Sequence, residues 1–188
     1  MQRQLIESMN AHRGGVIWFT GLPGSGKTTL AINVQYELLQ SNIRCAIIDG
    51  DVIRHKLNCD LGFSEEDRME NLRRAAEVTR MFIEAGIFVL APFITPSDTC
   101  RAMIRQHFQP EDYTELYVEC SLAACIERDP KGMYALALAD KLPNFTGISA
   151  PYDPPIAPDL TLDTQQLALQ QCVDKLIEYI QNKVKINN

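Results

Sequence analysis

The chain has no apolar run long enough to cross a bilayer, which excludes a helical span and gives no membrane partner to expect. Positive charge is scarce: 18 Lys and Arg face 24 Asp and Glu, a net charge of −6, so the basic footprint of a nucleic-acid binder is missing. The three histidines, His12, His55 and His107, are too dispersed for a metal site and read as surface residues. The six cysteines (Cys45, Cys59, Cys100, Cys120, Cys125, Cys172) show no C-x-x-C spacing or Cys/His pairing, which removes support for zinc ligation. Several lie in apolar runs, as reduced thiols of a cytoplasmic protein do. Residues 1–13 are polar and lack the apolar core of a secretory signal, consistent with a cytoplasmic location. The remaining composition, 46% hydrophobic and 22% charged over 188 residues, suits one domain spanning 1–188 with a full core.

One motif stands out against these absences. Gly21-Leu22-Pro23-Gly24-Ser25-Gly26-Lys27-Thr28 fits the phosphate-loop pattern G-x-x-x-x-G-K-[ST] at every fixed position. The apolar run Val16-Ile17-Trp18-Phe19 before it reads as a buried strand, and Leu30, Val34 and Leu38 after it have helical spacing. Glycines let backbone N–H groups converge on phosphate oxygens, and the following helix end adds a positive dipole. Lys27 supplies a point charge to the β- and γ-phosphates, and the Thr28 hydroxyl is the Mg²⁺ ligand. The motif predicts binding of a nucleoside triphosphate.

Further strands are expected at Cys45–Ile48, Ile87–Ala91 (ended by Pro92), Leu116–Cys120 and Leu160–Leu162. Helices are expected over 64–85, 97–108, 121–128 and 165–184. This alternation predicts an α/β three-layer sandwich with a mostly parallel central sheet, and the phosphate loop within it points to the P-loop nucleoside-triphosphate hydrolase/kinase type. The Pro- and Gly-rich segment 129–158 reads as a lid with little regular structure.

At the end of the second strand, Asp49-Gly50-Asp51 lies on the edge where open α/β sheets bind ligands, although aspartates there also cap turns. Arg54 follows. Arg68 and Asn71 share a helix face, and Arg68 opposes the helix dipole, a placement that a bound anion compensates. Arg73, Arg74 and Arg80 read as a solvated basic face. Phe63 and Phe145 are either core anchors or platforms for a flat base.

The strings Asp49-Gly50-Asp51-x-x-Arg54, Asp60-Leu61-Gly62-Phe63-Ser64-x-x-Asp67-Arg68-x-Glu70-Asn71 and Phe93-Ile94-Thr95-Pro96 resemble the adenylylsulfate kinase family. Arg128-Asp129-Pro130-Lys131-Gly132-x-Tyr134 and Asn144-Phe145-Thr146-Gly147-Ile148-x-Ala150-Pro151-Tyr152 do so too. The resemblance implies transfer of the ATP γ-phosphoryl to the ribose 3′-hydroxyl of adenosine 5′-phosphosulfate, with Mg²⁺. It implies Asp49, Lys27 and Thr95 at the reacting centre, and Gly21 to Thr29 (Gly21, Leu22, Pro23, Gly24, Ser25, Gly26, Lys27, Thr28, Thr29) with Arg128 on ATP. Asp49, Asp51, Arg54, Arg68, Asn71, Ile94, Thr95, Lys131 and Asn144 are implied at the acceptor, with Phe63 and Phe145 sandwiching its adenine. A homodimer, and functional coupling to a sulfate adenylyltransferase, are implied as well.

The chain departs from the family pattern at four places. Thr95 stands for the usual Ser, Ser97-Asp98 for Tyr-Arg, Ala135–Leu138 for a Lys/Arg run, and Val52 for a frequent Asn. Thr95 is read as a pocket residue, with direct in-line transfer and no phosphothreonine. Two other readings stand beside the leading one. The first is a P-loop small-molecule kinase with another hydroxyl acceptor. The second is a non-catalytic nucleotide-binding module.

Overall fold

The computed structural model describes residues 2–186. Its centre is β1 (Gly15–Thr20), whose uninterrupted run GVIWFT is buried at every position, as a strand covered on both faces requires. β3 (Phe88–Pro92) and β4 (Tyr113–Glu119) flank it in parallel, and β2 (Cys45–Ile47) and β5 (Leu160–Asp163) complete a five-stranded parallel sheet in the order β2-β3-β1-β4-β5.

Side chains alternate along β1 and so feed two separate cores. Ile17 and Phe19 pack with Leu30, Val34 and Leu38 of α2 (Lys27–Gln40) and Leu176 and Ile180 of α8 (Leu169–Lys183). Val16 and Trp18 pack on the other face with Leu72, Ala75 and Ile83 of α4 (Glu65–Glu84) and Ile104 of α5 (Asp98–Arg105). The three-layer expectation holds. All strands run the same way, so their C-terminal ends, including Thr20, Ile47 and Glu119, share one edge of the sheet.

Serines start three helices by accepting an otherwise unpaired backbone N–H: Ser64 from Asp67, Ser97 from Cys100, and Ser121 from Ala124 at the head of α6 (Leu122–Arg128). α4 ends just before Gly86, whose φ is +72°.

Several expectations need correction. A polar helix, α1 (Gln2–Asn10), precedes the sheet and is fastened by Arg3 to Asp112 and by Glu7, which accepts the Gly14 N–H. His12 is buried, not superficial: its Nε2 accepts the Arg44 N–H at 2.9 Å while Nδ1 meets the Arg13 carbonyl at 3.0 Å. His107 is half-buried, and only His55 is exposed. β2 is half-buried because it lies at the sheet edge. Pro92 closes β3 as its last residue, and β4 begins at Tyr113, three residues earlier than expected. The last helix starts at Leu169, after a turn in which Asp163 accepts the N–H groups of Gln165 and Gln166. Segment 129–158 contains a short helix, α7 (Met133–Leu138). Arg73 and Arg80 are exposed as expected and Arg74 is half-buried, and on that face they pair with Glu70, Glu77 and Asp60.

Candidate active site

At the C-terminal edge of the sheet opens a cavity of ≈ 1100 Å³. The loop after β1 forms its floor, with Pro23, Gly24, Gly26, Lys27, Thr28 and Thr29 on the surface. Gly26 has φ +98°, the left-handed turn that lets the chain enter α2 with its first N–H groups free. Gly21, Leu22 and Ser25 do not line the cavity. They lie behind it, where the Gly21 and Leu22 carbonyls accept from Lys27 Nζ at 2.9 and 2.7 Å. Burial holds the Lys27 ammonium well below its usual pKa, at about 8, and the Cys125 thiol and the Asp51 and Asp49 carboxylates only partly offset this.

Asp49 ends the segment after β2 and caps α3 (Gly50–His55). Its Oδ1 accepts the N–H groups of Asp51 (2.9 Å) and Val52 (3.4 Å). Its Oδ2 accepts the Thr28 hydroxyl at 2.9 Å. A carboxylate and a hydroxyl joined beside a buried lysine form a hard-oxygen set that fits Mg²⁺, which takes few protein ligands and completes its shell with phosphate and water. Among the described residues no cluster of three or more His, Cys, Asp or Glu suited to a metal exists.

A second wall carries the cations and aromatics. Arg54 donates to the Gly62 carbonyl (2.7 Å) and lies over the Phe63 ring at 4.7 Å. Arg68 donates from Nε to the Phe63 carbonyl (3.1 Å), from Nη1 to the Thr146 hydroxyl (2.9 Å) and from Nη2 to the Asn144 carbonyl. Each acceptor of these two arginines is neutral, and burial lowers the pKa of both guanidinium groups. Phe63 is exposed. Phe145 is buried edge-on against Tyr134 at 4.9 Å, yet also lines the cavity. Asn71, Ile94 and Thr95 complete this wall.

Thr95 has φ +46°, a strained value for a β-branched residue. It is held by Trp18 Nε1, which donates to its hydroxyl at 2.9 Å, and by Thr20 and Arg101, which donate to its carbonyl. The replaced pair Ser97-Asp98 has local work here: Ser97 caps α5, and Asp98 pairs with Arg101.

The segment after α6 covers the loop. Arg128 donates to the Thr164 hydroxyl (3.1 Å) and carbonyl (2.7 Å), and Thr164 in turn donates to the Ser25 carbonyl at 3.0 Å. Lys131 pairs with Asp51, which raises the lysine's pKa. Tyr134 donates to the Pro23 carbonyl at 2.8 Å. The structure thus brings together every expected residue except the three behind the loop. Sequence reasoning passed over Thr164 and Leu167 and gave no site role to Tyr134, although all three line the cavity. Thr164 was findable, because it directly follows β5 at the ligand-binding edge.

The adenylylsulphate kinase family model matches residues 13–163. An adenylyl-sulfate kinase of Geotalea uraniireducens is 48% identical over 174 residues, covering 93% of this chain and 84% of that protein. One from Bacteroides fragilis is 47% identical over 184 residues, covering 98% and 91%. Among solved structures, the Mycobacterium tuberculosis APS kinase in complex with AMPPNP and APS superposes with a TM-score of 0.86 at 41% identity, over 90% of this chain and 98% of that one.

Proposed function

Because the chain belongs to the adenylylsulphate kinase family, we propose that it transfers the γ-phosphoryl group of ATP to the ribose 3′-hydroxyl of adenosine 5′-phosphosulfate. The products are ADP and 3′-phosphoadenosine 5′-phosphosulfate. The observation that carries this reading is the single cavity shared by the phosphate loop, Asp49 and the Arg54–Phe63–Arg68–Asn71 wall.

Phosphoryl transfer asks a protein for positioning and charge neutralisation more than for covalent chemistry. Lys27 neutralises the β- and γ-phosphates from the loop. Thr28, with Asp49 beside it, would hold Mg²⁺, which would supply charge neutralisation to the phosphates. Asp49 Oδ2 faces the acceptor hydroxyl and orients it for in-line attack, its carboxylate fixed by the cap on Oδ1. Arg54 and Arg68, now satisfied by neutral acceptors, exchange some of these for the phosphosulfate anion. Phe63 and Phe145 bracket the adenine, and Asp51, Ile94 and Asn144 shape the pocket. Segment 129–158 acts as a lid, with Arg128 over the ATP side and Lys131 leaving Asp51 for phosphate. The family resemblance also supports a homodimer and coupling to a sulfate adenylyltransferase, and the unpaired cysteines support a cytoplasmic location.

The test is ADP release from Mg-ATP with and without adenosine 5′-phosphosulfate, alongside gluconate, shikimate and nucleosides. Release is expected only with the phosphosulfate, with a 3′-phosphorylated product. Asp49→Ala is expected to lower turnover at least ~100-fold while nucleotide still binds. Asp49→Asn, which keeps the helix cap, separates the loss of charge from the loss of about 1 kcal/mol of capping. Turnover on another acceptor, or undiminished turnover in both variants, would refute the reading.

A further inference from the structure

Asn71 lines the cavity from α4, and its two amide ends differ in what they offer a ligand. Asn58, in the turn after α3, decides which end faces inward. Its Nδ2 lies 3.0 Å from Asn71 Oδ1 and 3.4 Å from the Asn71 backbone carbonyl. A backbone carbonyl only accepts, so the Asn58 atom facing it is the nitrogen. The Asn71 atom facing that nitrogen is therefore its oxygen. Asn71 Nδ2 is turned away from Asn58 and, among the described residues, donates to no protein acceptor.

Packing does not account for Asn58. The side chain is wholly buried, and its own Oδ1 has no partner among the described residues. An idle buried carbonyl is destabilising, and an apolar residue of the same size avoids that cost. The backbone is fixed as well, by a hydrogen bond from the Asn58 N–H to the Ile53 carbonyl (2.9 Å) and one from the Leu61 N–H to the Asn58 carbonyl (3.1 Å). Asn58 thus ties the turn after α3 to α4, which carries both Arg68 and Asn71.

We propose that Asn58 is a positioning residue: by holding Asn71 Oδ1 it presents Asn71 Nδ2 to the cavity as a donor for an oxygen of the acceptor nucleotide. The inference rests on the reading above that Asn71 faces that nucleotide. With the amide reversed, a carbonyl oxygen would meet the same electron-rich oxygen and repel it.

Steady-state kinetics of the full chain test this. Asn58→Asp is nearly isosteric but offers only acceptors, so Asn71 donates back to it and turns its oxygen inward. The KM for adenosine 5′-phosphosulfate is expected to rise about tenfold, while that for Mg-ATP stays within about twofold. In an Asn71→Ala background the same substitution is expected to change neither, because a residue acting through another loses its effect when the other is gone. Asn58→Leu removes the donor together with the idle acceptor. Because it trades the idle Asn58 Oδ1 for an unpaired Asn71 Oδ1, it is expected to melt close to the wild-type temperature and still raise the acceptor KM several-fold, a split that a purely structural role does not produce. An Asp effect of equal size in both backgrounds, a parallel rise in the Mg-ATP KM, or a Leu variant with wild-type kinetics would each overturn the positioning role alone. A wild-type chain silent on adenosine 5′-phosphosulfate would overturn the proposed function and this inference with it.

Discussion

Lys27 makes nucleotide binding a proton-uptake reaction at alkaline pH. The buried ammonium has a pKa of about 8 against a usual 10.5, with burial as the main cause. A bound triphosphate restores the charge, because its anionic oxygens replace the lost solvation. At pH 8.5 roughly three-quarters of free chains carry a neutral Lys27, and at pH 7 about a tenth do. Binding Mg-ATP is therefore expected to take up about 0.7 proton at pH 8.5 and ~0.1 at pH 7. Affinity is expected to fall with rising pH, by about 80-fold between pH 8 and 10.5 out of a full span of roughly 300-fold, if the bound lysine titrates at its usual value.

The assay is isothermal titration calorimetry with Mg-ATP and no acceptor, in buffers of different ionisation enthalpy, where the slope gives protons taken up. The terminal phosphate of ATP is already ionised at pH 8.5 and contributes little. Lys27→Arg is the control, since a guanidinium stays charged and takes up no proton. Zero uptake by the wild type at pH 8.5, or the same uptake in Lys27→Arg, would refute the argument. The same shift has a consequence for the free protein. The folded state binds fewer protons than the unfolded one between pH 8 and 10.5, so the contribution of Lys27 to stability rises through that window. It is fully present above 10.5 and lost as pH falls through about 8.

Two further substitutions probe the loop and the opposite wall. Gly21 has φ +147°, and a Cβ there would meet the Val118 carbonyl oxygen at 2.6 Å, so Gly21→Ala is expected to lower the melting temperature and abolish nucleotide binding. Backbone strain alone costs about 1–3 kcal/mol, and wild-type melting would sink this expectation. Thr95→Ala leaves the buried Trp18 N–H without its acceptor, at a cost of about 1–3 kcal/mol in denaturant unfolding, whereas Thr95→Ser keeps the bond and wild-type turnover. The Ala variant is expected to retain measurable turnover, because the hydroxyl already engaged by Trp18 is not a phosphoryl carrier. Phosphate found on Thr95 during turnover would contradict this.

The sheet and the phosphate loop were legible because their determinants are local: an apolar run, glycines at fixed spacing, and serines placed before amphipathic helices. Residues missed in the sequence act through partners far along the chain. α1 is polar and owes its place to Arg3 reaching Asp112, a contact that no helical periodicity reveals. His12 is buried because its ring accepts the Arg44 N–H beside the edge strand, and the string that contains Tyr134 does not reveal that its hydroxyl reaches Pro23. Segment 129–158 looked irregular from its prolines, yet α7 fits between them because Asp129 accepts the N–H groups of Tyr134 and Ala135.

Asp49 is the instructive position. From sequence, a turn cap and a ligand group looked like competing roles for one side chain. A carboxylate has two oxygens, and the structure assigns them separately: Oδ1 to the N–H groups that open α3, and Oδ2 to Thr28. The cap is what aims the second oxygen. Two backbone hydrogen bonds on Oδ1 fix the carboxylate plane, so Oδ2 meets the phosphate loop without having to be ordered when ligand arrives. The same logic joins Asn58 to Asn71: one end of a polar group is committed to the fold so that the other has a defined direction in the cavity. Local propensity reports the committed end of such a group, and only the packing of distant segments reports where the free end points.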